Sequence, residues 1–186
     1  MKNLITITAL LLFMTLHTSC DNDSKAQESS FEFTSVFSGS FVVGPVNTDT
    51  NDDGRPSTLL NYLGESNFGS ISMNLIAEFA QPIPPLNCPE TNLEFDLVLG
   101  NFVFRVENGD LLMGQWDFGK SCFDSEMLSS VVTLNGRITG GTGQFTNAEG
   151  SIELSSDQEF LTTTAENGFP SGGSSGTGEG TIIFNN

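Results

Sequence analysis

The stretch from Phe102 to Gly119, "FVFRVENGDLLMGQWDFG", decides the fold class. In its first half, Phe102, Phe104 and Val106 alternate with other side chains, and Trp116 stands in the second half. A period of two is typical of a β-strand with one buried face. The central Asn-Gly pair can adopt the positive φ angles of a tight turn. The stretch therefore predicts two antiparallel strands joined by a hairpin.

The same period continues in both directions along the chain. It runs through "GSISMNLIAEF" (69–79) and "NLEFDLVLG" (92–100) before the hairpin, and through "MLSSVVTLNGRITG" (127–140), "GSIELSSDQEF" (150–160) and "GEGTIIF" (178–184) after it. About eight short strands favour a sandwich or a barrel, and a closed barrel leaves no edge strand unpaired. We predict an all-β fold, a single antiparallel closed barrel of about eight strands, for residues 31–186.

Two segments break this pattern. Residues 80–92, "AQPIPPLNCPETN", contain four prolines and are predicted to form a loop anchored by Cys88. Residues 166–178, "ENGFPSGGSSGTG", are rich in glycine and serine. They predict either a mobile loop or a wide bend before the last strand.

The N-terminal segment is typical of an exported protein. Lys2 and the apolar run "LITITALLLFMTL" (4–16) have the form of a signal peptide, and the run is short for a membrane-spanning helix. The following "HTSC", which ends at Cys20, resembles the lipobox of bacterial lipoproteins, in which the cysteine is acylated. We predict a lipoprotein signal peptide in residues 1–19, lipidation of Cys20 and a polar, flexible tether in residues 20–30. Plain secretion is the alternative.

Lipidation would place the protein on a membrane of the bacterial cell envelope. Asp21 directly follows the lipidated position and looks like the inner-membrane retention signal of enteric bacteria. Other Gram-negative groups do not follow that rule. We expect the outer membrane, with secretion as the alternative, and the sequence leaves the leaflet open.

The charge of the chain narrows its possible partners. It has 23 acidic and six basic side chains, for a net charge of −17. Nucleic acid and anionic lipid head groups both require clustered lysine or arginine, so neither is an expected partner. The acidic balance suits solubility, cation binding or a surface that repels neighbours of like charge.

The cysteines predict one disulfide and exclude several kinds of catalytic site. With Cys20 lipidated, Cys88 and Cys122 remain as an even pair in an exported protein, which favours a bond between them. That bond would stabilise the fold by roughly 3–4 kcal/mol. The one histidine, His17, lies in the predicted signal peptide. Designs that pair serine or cysteine with histidine, and most transition-metal sites, are therefore excluded.

The stretch "TDTNDDGRPS" (48–57) resembles half of a calcium-binding loop, because carboxylate and amide oxygens recur at alternate positions before a glycine. The predicted ligands are the side chains of Asp49, Asn51 and Asp53 and the main-chain carbonyl of Arg55. A structural Ca²⁺ ion is the only cofactor that the sequence suggests.

The calcium loop is incomplete. The twelfth position of an EF-hand holds a bidentate glutamate, and Leu60 stands there in this chain. Ser57 occupies the place of the final acid in the "DxDxDGxPD" repeats of extracellular calcium proteins. An acid from elsewhere, such as Glu65, would have to complete the shell. An ordinary polar turn, rich in Asp, Asn and Gly, explains the same residues.

The segment from Ile138 to Leu154, "ITGGTGQFTNAEGSIEL", resembles the allene oxide cyclase and dirigent-like barrel proteins, including many exported bacterial ones. The positions that match are Gly140, Gly141, Thr142, Gly143, Phe145, Ala148 and Gly150. An Asn-Gly-Asp hairpin precedes this turn and a "GTGxG" strand ends the chain, as in those bacterial proteins. The resemblance covers about residues 58–186 and implies a barrel with Phe145 plugging one end. It does not transfer the cyclase activity, because that activity rests on pocket residues that cannot be placed in this sequence.

Three functions remain open on the sequence. The first is a non-catalytic lipoprotein barrel that binds a small apolar molecule or a glycan, with Trp116 and Tyr62 as stacking candidates or as core residues. The second is a cyclase- or isomerase-like enzyme, for which Glu78 and Glu94 are the conceivable carboxylates, although alternation turns both away from the apolar face. The third is a structural or interaction module with an acidic surface.

Overall fold

Eight antiparallel strands form a closed barrel in the computed structural model, which describes residues 29–44, 57–162 and 170–184. The strands are β1 (Ser29–Val43), β2 (Ser57–Ser66), β3 (Gly69–Phe79), β4 (Leu93–Val106), β5 (Leu111–Asp124), β6 (Ser129–Gly141), β7 (Ala148–Thr162) and β8 (Ser171–Phe184). Each strand pairs with its sequence neighbour, and β8 pairs with β1 to close the barrel. The predicted fold class is confirmed.

The barrel is filled by the side chains that alternation assigned to its inner face. In β4, Phe102, Phe104 and Val106 are buried, whereas Arg105 between them is exposed. Similar inward rows from the other strands join them in one hydrophobic core. A closed sheet buries one face of every strand without leaving an edge, which is why the simple two-residue period was informative.

One end of the barrel, which we call the capped end, is built from two interlocking turns. The hairpin predicted at Asn108-Gly109 joins β4 to β5, and its Gly109 has a φ of +92°. Within this hairpin Gly109 takes a positive φ and Asn108 does not. The Asn108 side-chain oxygen accepts a hydrogen bond from the Asp110 N–H at 2.9 Å. The hairpin therefore presents the Asp110 carboxylate to the neighbouring connection.

The glycine turn between β6 and β7 docks on that carboxylate. The Gln144 N–H donates to Asp110 Oδ2 at 3.0 Å, and Gly143, with a φ of +55°, is so close to Asp110 that a side chain would overlap it. This glycine begins a single 3₁₀ turn, Gly143–Phe145. Phe145 is fully buried between Phe68 and Phe184, with ring centroids 5.6 and 6.3 Å away. Phe145 thus plugs the capped end.

The prediction of a loop or bend for residues 166–178 is wrong from Ser171 onward, because Ser171–Phe184 is the strand β8. The inward positions in the first half of β8 are small, and two of them face large residues of β1. Gly172 is the direct partner of Phe41, and Gly176 is the direct partner of Phe37. Each phenylalanine ring lies over the glycine opposite, so the missing side-chain volume of β8 is supplied by β1.

A β-bulge in β4 changes which of its side chains face the interior of the barrel. Glu78 of β3 pairs with Leu99, but the next residue, Phe79, pairs with Leu97, so Val98 is an extra residue in β4. The extra residue reverses which positions face inward. Alternation assigns Phe95, Leu97 and Leu99 to one face, but only Phe95 and Leu97 face inward, because Leu99 comes after the extra residue and faces outward. All three are half-buried.

Several sequence predictions lie outside the described residues. They are the signal peptide (1–19), lipidation of Cys20 and the calcium ligands Asp49, Asn51, Asp53 and Arg55. The strand β1 begins at Ser29, so the last two residues of the predicted tether belong to the barrel. No helix in the part of the chain that the structure describes is long and apolar enough to cross a membrane.

Candidate functional site: a cavity opposite the capped end

A cavity of about 290 Å³ lies at the other end of the barrel, which we call the cavity end. Its wall is mainly hydrocarbon and includes Leu60, Ala77, Phe95, Val132, Leu134 and Phe160. Uncharged polar side chains interrupt the wall at Thr58, Gln81, Ser121 and Gln158. The volume is near the lower limit of about 300 Å³ for ligand pockets, so the cavity suits one small molecule.

Strand register aligns hydrogen-bonding residues in a row around one side of the interior. Tyr62 of β2 is the direct partner of Gly39 in β1, and Gly39 is in turn the partner of Ser174 in β8. Ser174 pairs with Gln158 of β7, which pairs with Ser130 of β6. We call Tyr62, Ser174, Gln158 and Ser130 the polar row. It reaches the cavity wall at Gln158.

Gly39 allows the first contact of the polar row. A side chain at Gly39 would collide with the ring of Tyr62, so the absence of one lets that ring lie across β1. The Tyr62 hydroxyl then reaches the Ser174 hydroxyl at 3.0 Å. Burial raises the pKa of Tyr62, against the opposing effect of the Ser174 hydrogen bond and of the nearby Ser156 and Gln158 side chains.

Next to the polar row lies a hydroxyl group that makes no hydrogen bond within the described part of the barrel. Ser156, the inward neighbour of Gln158 on β7, is buried, and its hydroxyl has no hydrogen-bond partner among the described residues. At the far end of the row, Ser130 shares a hydrogen bond of 2.5 Å with Ser121, which lines the cavity. Buried hydroxyl and amide groups normally find partners. Of these residues, Gln158 and Ser121 line the cavity and are the ones that a polar atom of a ligand could contact.

Trp116 and Tyr62, the stacking candidates from the sequence, are core residues. Both are buried and neither lines the cavity. The Trp116 ring packs on Phe102 at 4.6 Å, and the Tyr62 ring packs on Phe37 at the same distance. Neither aromatic face is available to a sugar or an apolar ligand. Tyr62 contributes to the site through its hydroxyl.

Glu94 faces away from the cavity, as alternation predicted, but it is buried, with 1% of its surface exposed. The proline-rich loop 80–92 folds over it on the outside of the barrel. Its carboxylate accepts hydrogen bonds from the main-chain N–H groups of Leu86, Asn87 and Cys88 at 2.7, 2.7 and 3.3 Å. These bonds, led by the bond from Asn87, lower the pKa of Glu94 to about 2. Glu94 thus anchors the loop.

The predicted disulfide between Cys88 and Cys122 is present and fixes the same loop. Cys122 is the direct cross-strand partner of Glu94, so the covalent link and the carboxylate anchor are adjacent on the outer face of β4 and β5. Gln81 and Pro82, at the start of the loop, line the cavity. The rim of the cavity is therefore held in place from outside the barrel.

Glu78, the other candidate carboxylate, is fully buried but does not line the cavity either. It is the direct partner of Ser57, which is also fully buried, whereas its neighbours Ala77 and Phe79 line the cavity. The enzyme hypothesis named Glu78 and Glu94 as its carboxylates, and the structure places both outside the cavity wall.

A second concave region, of about 580 Å³, lies on the outer surface of the barrel. We call it the outer groove, and its lining includes Glu32, Glu153, Glu179, Asp117, Arg137 and Phe118. Arg137 forms an ion pair with Asp117 at 3.1 Å, and Phe118 is 64% exposed. Glu153 and Glu179 are direct cross-strand partners, which concentrates negative charge there. Among the described residues no group of three or more Asp, Glu, His or Cys side chains is placed to hold a metal ion.

Sequence reasoning missed the polar row, although part of its signal was present. In β7, alternation from Ile152 and Leu154 assigns Ser156 and Gln158 to the inner face. Two polar residues in succession at inward positions are unusual in a barrel core and point to a site. The partners of these residues on β2, β6 and β8 depend on strand register, which the local pattern does not specify.

Comparison with known proteins finds a likeness in structure but none in sequence. No family model matches the chain, and no curated protein matches it. Among solved structures, it is similar to the pterocarpan synthase dirigent protein GePTS1, with 13% identity and a TM-score of 0.39. The likeness covers 84% of this chain and 86% of that protein. The fold assignment rests on the strand pairing described above.

Proposed function

We propose that this protein is a lipoprotein of the bacterial cell envelope whose barrel binds a small apolar ligand without converting it chemically. The observation that carries the proposal is the difference between the ends of the barrel. Phe145 and its aromatic neighbours fill the capped end, whereas the cavity end has a hydrocarbon-lined space of about 290 Å³. Barrels of about eight strands can hold one such ligand.

The composition of the wall supports binding of an apolar molecule rather than a glycan. A sugar needs many hydrogen-bonding groups and an accessible aromatic face, but Leu60, Val132 and Leu134 are typical of this wall. Binding without conversion is supported by the positions of Glu78 and Glu94, since general acid–base catalysis requires a carboxylate within reach of the ligand.

A fluorescence titration with N-phenyl-1-naphthylamine, a neutral apolar probe, tests the proposal on the purified barrel. We expect saturable binding at one site, with enhanced emission of the probe. The Val132→Phe variant places a larger side chain in the cavity wall and should weaken binding by about tenfold or more, since small-to-large changes in filled space commonly cost 1–3 kcal/mol.

The neighbouring residue supplies a matched control. Val131 lies on the same strand but is 48% exposed on the outer face, so Val131→Phe adds the same volume outside the cavity. This variant should bind the probe like the wild type. Equal loss of binding in both variants, or no saturable binding by the wild type, contradicts the proposed function.

Anchoring through Cys20 is proposed from the lipobox-like "HTSC" sequence. Growth with a radiolabelled fatty acid should label the wild-type protein and leave the Cys20→Ala variant unlabelled. The wild type should sediment with outer-membrane fractions, whereas an unlabelled wild type released into the medium would indicate plain secretion.

Calcium binding by Asp49, Asn51, Asp53 and the Arg55 carbonyl is proposed as a structural contribution, separate from ligand binding. The melting temperature of the wild type should rise on addition of calcium and return with a chelator. A double variant, Asp49→Ala with Asp53→Ala, should melt at one temperature in both conditions. A wild type that melts identically with calcium and with chelator excludes the site.

The outer groove favours a second candidate function, docking of a partner with a basic surface. Glu153 and Glu179 lie side by side in the groove, and opposite charge would relieve their repulsion. A lysine-rich peptide should then bind in a salt-dependent manner and lose affinity for the Glu153→Gln, Glu179→Gln double variant. Binding that is unchanged by salt and by both substitutions would exclude this role.

A further inference from the structure

Resting on the proposed function, we propose that the cavity selects an uncharged ligand that has an apolar body and a hydroxyl or carbonyl group directed at Gln158. The proposal narrows the ligand class of the same site. It separates neutral amphiphiles, such as alcohols and ketones, from fatty acids and from pure hydrocarbons.

The first observation concerns the chemistry of the wall. The described side chains around the cavity are hydrocarbons or uncharged polar groups, with Thr58, Gln81, Ser121 and Gln158 as the polar members. An ionised carboxylate buried against this wall would exchange its hydration for hydrocarbon and neutral dipoles. Burial of an ion without a paired charge is costly, so the wall favours a neutral ligand.

The second observation is that Gln158 is the most deeply buried of the polar side chains that line the cavity. Gln158 is 5% exposed and forms part of the cavity wall, and it lies between Ser174 and Ser130 in the strand register. On the opposite side, β3 and β4 contribute Ala77 and Phe95. A ligand with an apolar body and one polar group matches a hydrocarbon wall that contains a buried amide better than a uniformly apolar molecule does.

The third observation concerns hydrogen-bonding capacity near Gln158. Its amide has two donor hydrogens and an acceptor oxygen. Tyr62 and Ser174 bond to each other, and neither they nor the buried Ser156 line the cavity, so Gln158 is the one of these four residues that a ligand in the cavity can reach. A ligand hydroxyl can donate to an amide oxygen or accept from an amide N–H, so it fits either orientation of the Gln158 side chain.

Displacement of N-phenyl-1-naphthylamine by 1-octanol and by octanoate tests the proposal at pH 7. The two competitors share the same chain length, and they differ in the charge of the head group. We expect 1-octanol to displace the probe at a concentration at least about tenfold lower than octanoate, because only the carboxylate has to be buried as an ion. Equal potency, or stronger displacement by octanoate, overturns the proposal.

A pair of substitutions tests the assignment to Gln158. Gln158→Leu keeps the approximate size of the side chain and removes its hydrogen bonds, so 1-octanol should bind about 3- to 10-fold more weakly. Probe binding should persist. Gln144→Leu makes the same chemical change at an exposed position of the capped end and should leave displacement unchanged.

The outcomes separate this proposal from the function on which it rests. If the probe binds the wild type and Val132→Phe abolishes binding, the cavity is a ligand site. An unaltered response of Gln158→Leu to 1-octanol then overturns the role of Gln158 alone. If the wild type binds neither the probe nor 1-octanol, both proposals fail. The comparison of the two competitors uses only the wild type, so it stands even if Gln158→Leu does not fold.

Discussion

The two ends of this barrel are stabilised in different ways. At the capped end, short turns lock together through Asp110 and Gly143 and insert Phe145 into the interior. At the cavity end, the described anchors, Glu94 and the disulfide Cys88–Cys122, lie on the outer face and hold a loop against the sheet. The difference shows how a barrel can be secured at both ends while the described residues of one end still enclose a cavity.

The largest expected effect comes from removing the plug of the capped end. Phe145→Ala deletes a fully buried aromatic ring and should lower the free energy of unfolding by about 3–5 kcal/mol. Urea denaturation measures this loss. Phe118→Ala, which removes a ring that is 64% exposed, should change stability by less than about 0.5 kcal/mol. Similar losses in both variants would refute the role of Phe145 as a plug.

Loss of the disulfide at the cavity end should have the next largest effect. The bond joins residues 34 apart, and its removal in a Cys88→Ala, Cys122→Ala double variant should cost about 2–4 kcal/mol of unfolding free energy. Reductant should destabilise the wild type by a similar amount and leave the double variant unaffected. Two free thiols in the denatured, unreduced wild type would show that the bond does not form.

The interior contact between Tyr62 and Ser174 should contribute less. Tyr62→Phe removes their hydrogen bond and should cost about 0.5–1.5 kcal/mol by urea denaturation at neutral pH. Burial raises the pKa of Tyr62 in the folded state. The neutral hydroxyl therefore stabilises the fold at pH values below the unfolded-state pKa of about 10, and this stabilisation is lost as the pH rises through the folded-state pKa. The variant should therefore lack part of the alkaline destabilisation of the wild type. An identical alkaline profile would contradict burial of the hydroxyl.

The smallest expected effect is a change in acid dependence at the cavity end. Hydrogen bonds lower the pKa of Glu94 in the folded state to about 2. The ionised carboxylate therefore stabilises the fold fully at pH values above the unfolded-state pKa of about 4.3, and this stabilisation is lost as the pH falls through about 2. Glu94→Gln should reduce the acid destabilisation in this window, as followed by thermal unfolding. Glu90→Gln, in the same loop and exposed, should keep the wild-type profile. Matching profiles for all three proteins would rule out Glu94 as the acid-sensitive anchor.

The sequence predicted the features that depend on local pattern. Alternation at Phe102, Phe104 and Val106 and the turn at Asn108-Gly109 are properties of neighbouring residues, and both predicted the hairpin correctly. The pairing of Cys88 with Cys122 followed from their number, because only two cysteines remained for a bond.

The features that the sequence did not predict depend on contacts between distant residues. The Gly- and Ser-rich start of β8 has the composition of a loop, but it forms a strand that pairs with β1, where Phe37 and Phe41 lie opposite its glycines. Glu94 is buried only because the loop 80–92 folds over it. Tyr62 and Ser174 become neighbours through strand register and the bare backbone of Gly39. None of these relations has a local signature.

The pairing of β1 with β8 has a consequence for assembly. This seam joins residues as far apart in sequence as Ser35 and Gly178, which form a hydrogen bond of 3.4 Å. Contacts of such long range form slowly, because a large loop must close before they are made. Until β8 pairs with them, β1 and β7 are edge strands with unpaired N–H and C=O groups, which can pair with other chains. Fragments that end before Ser171 should therefore aggregate, because they lack the strand that closes the barrel.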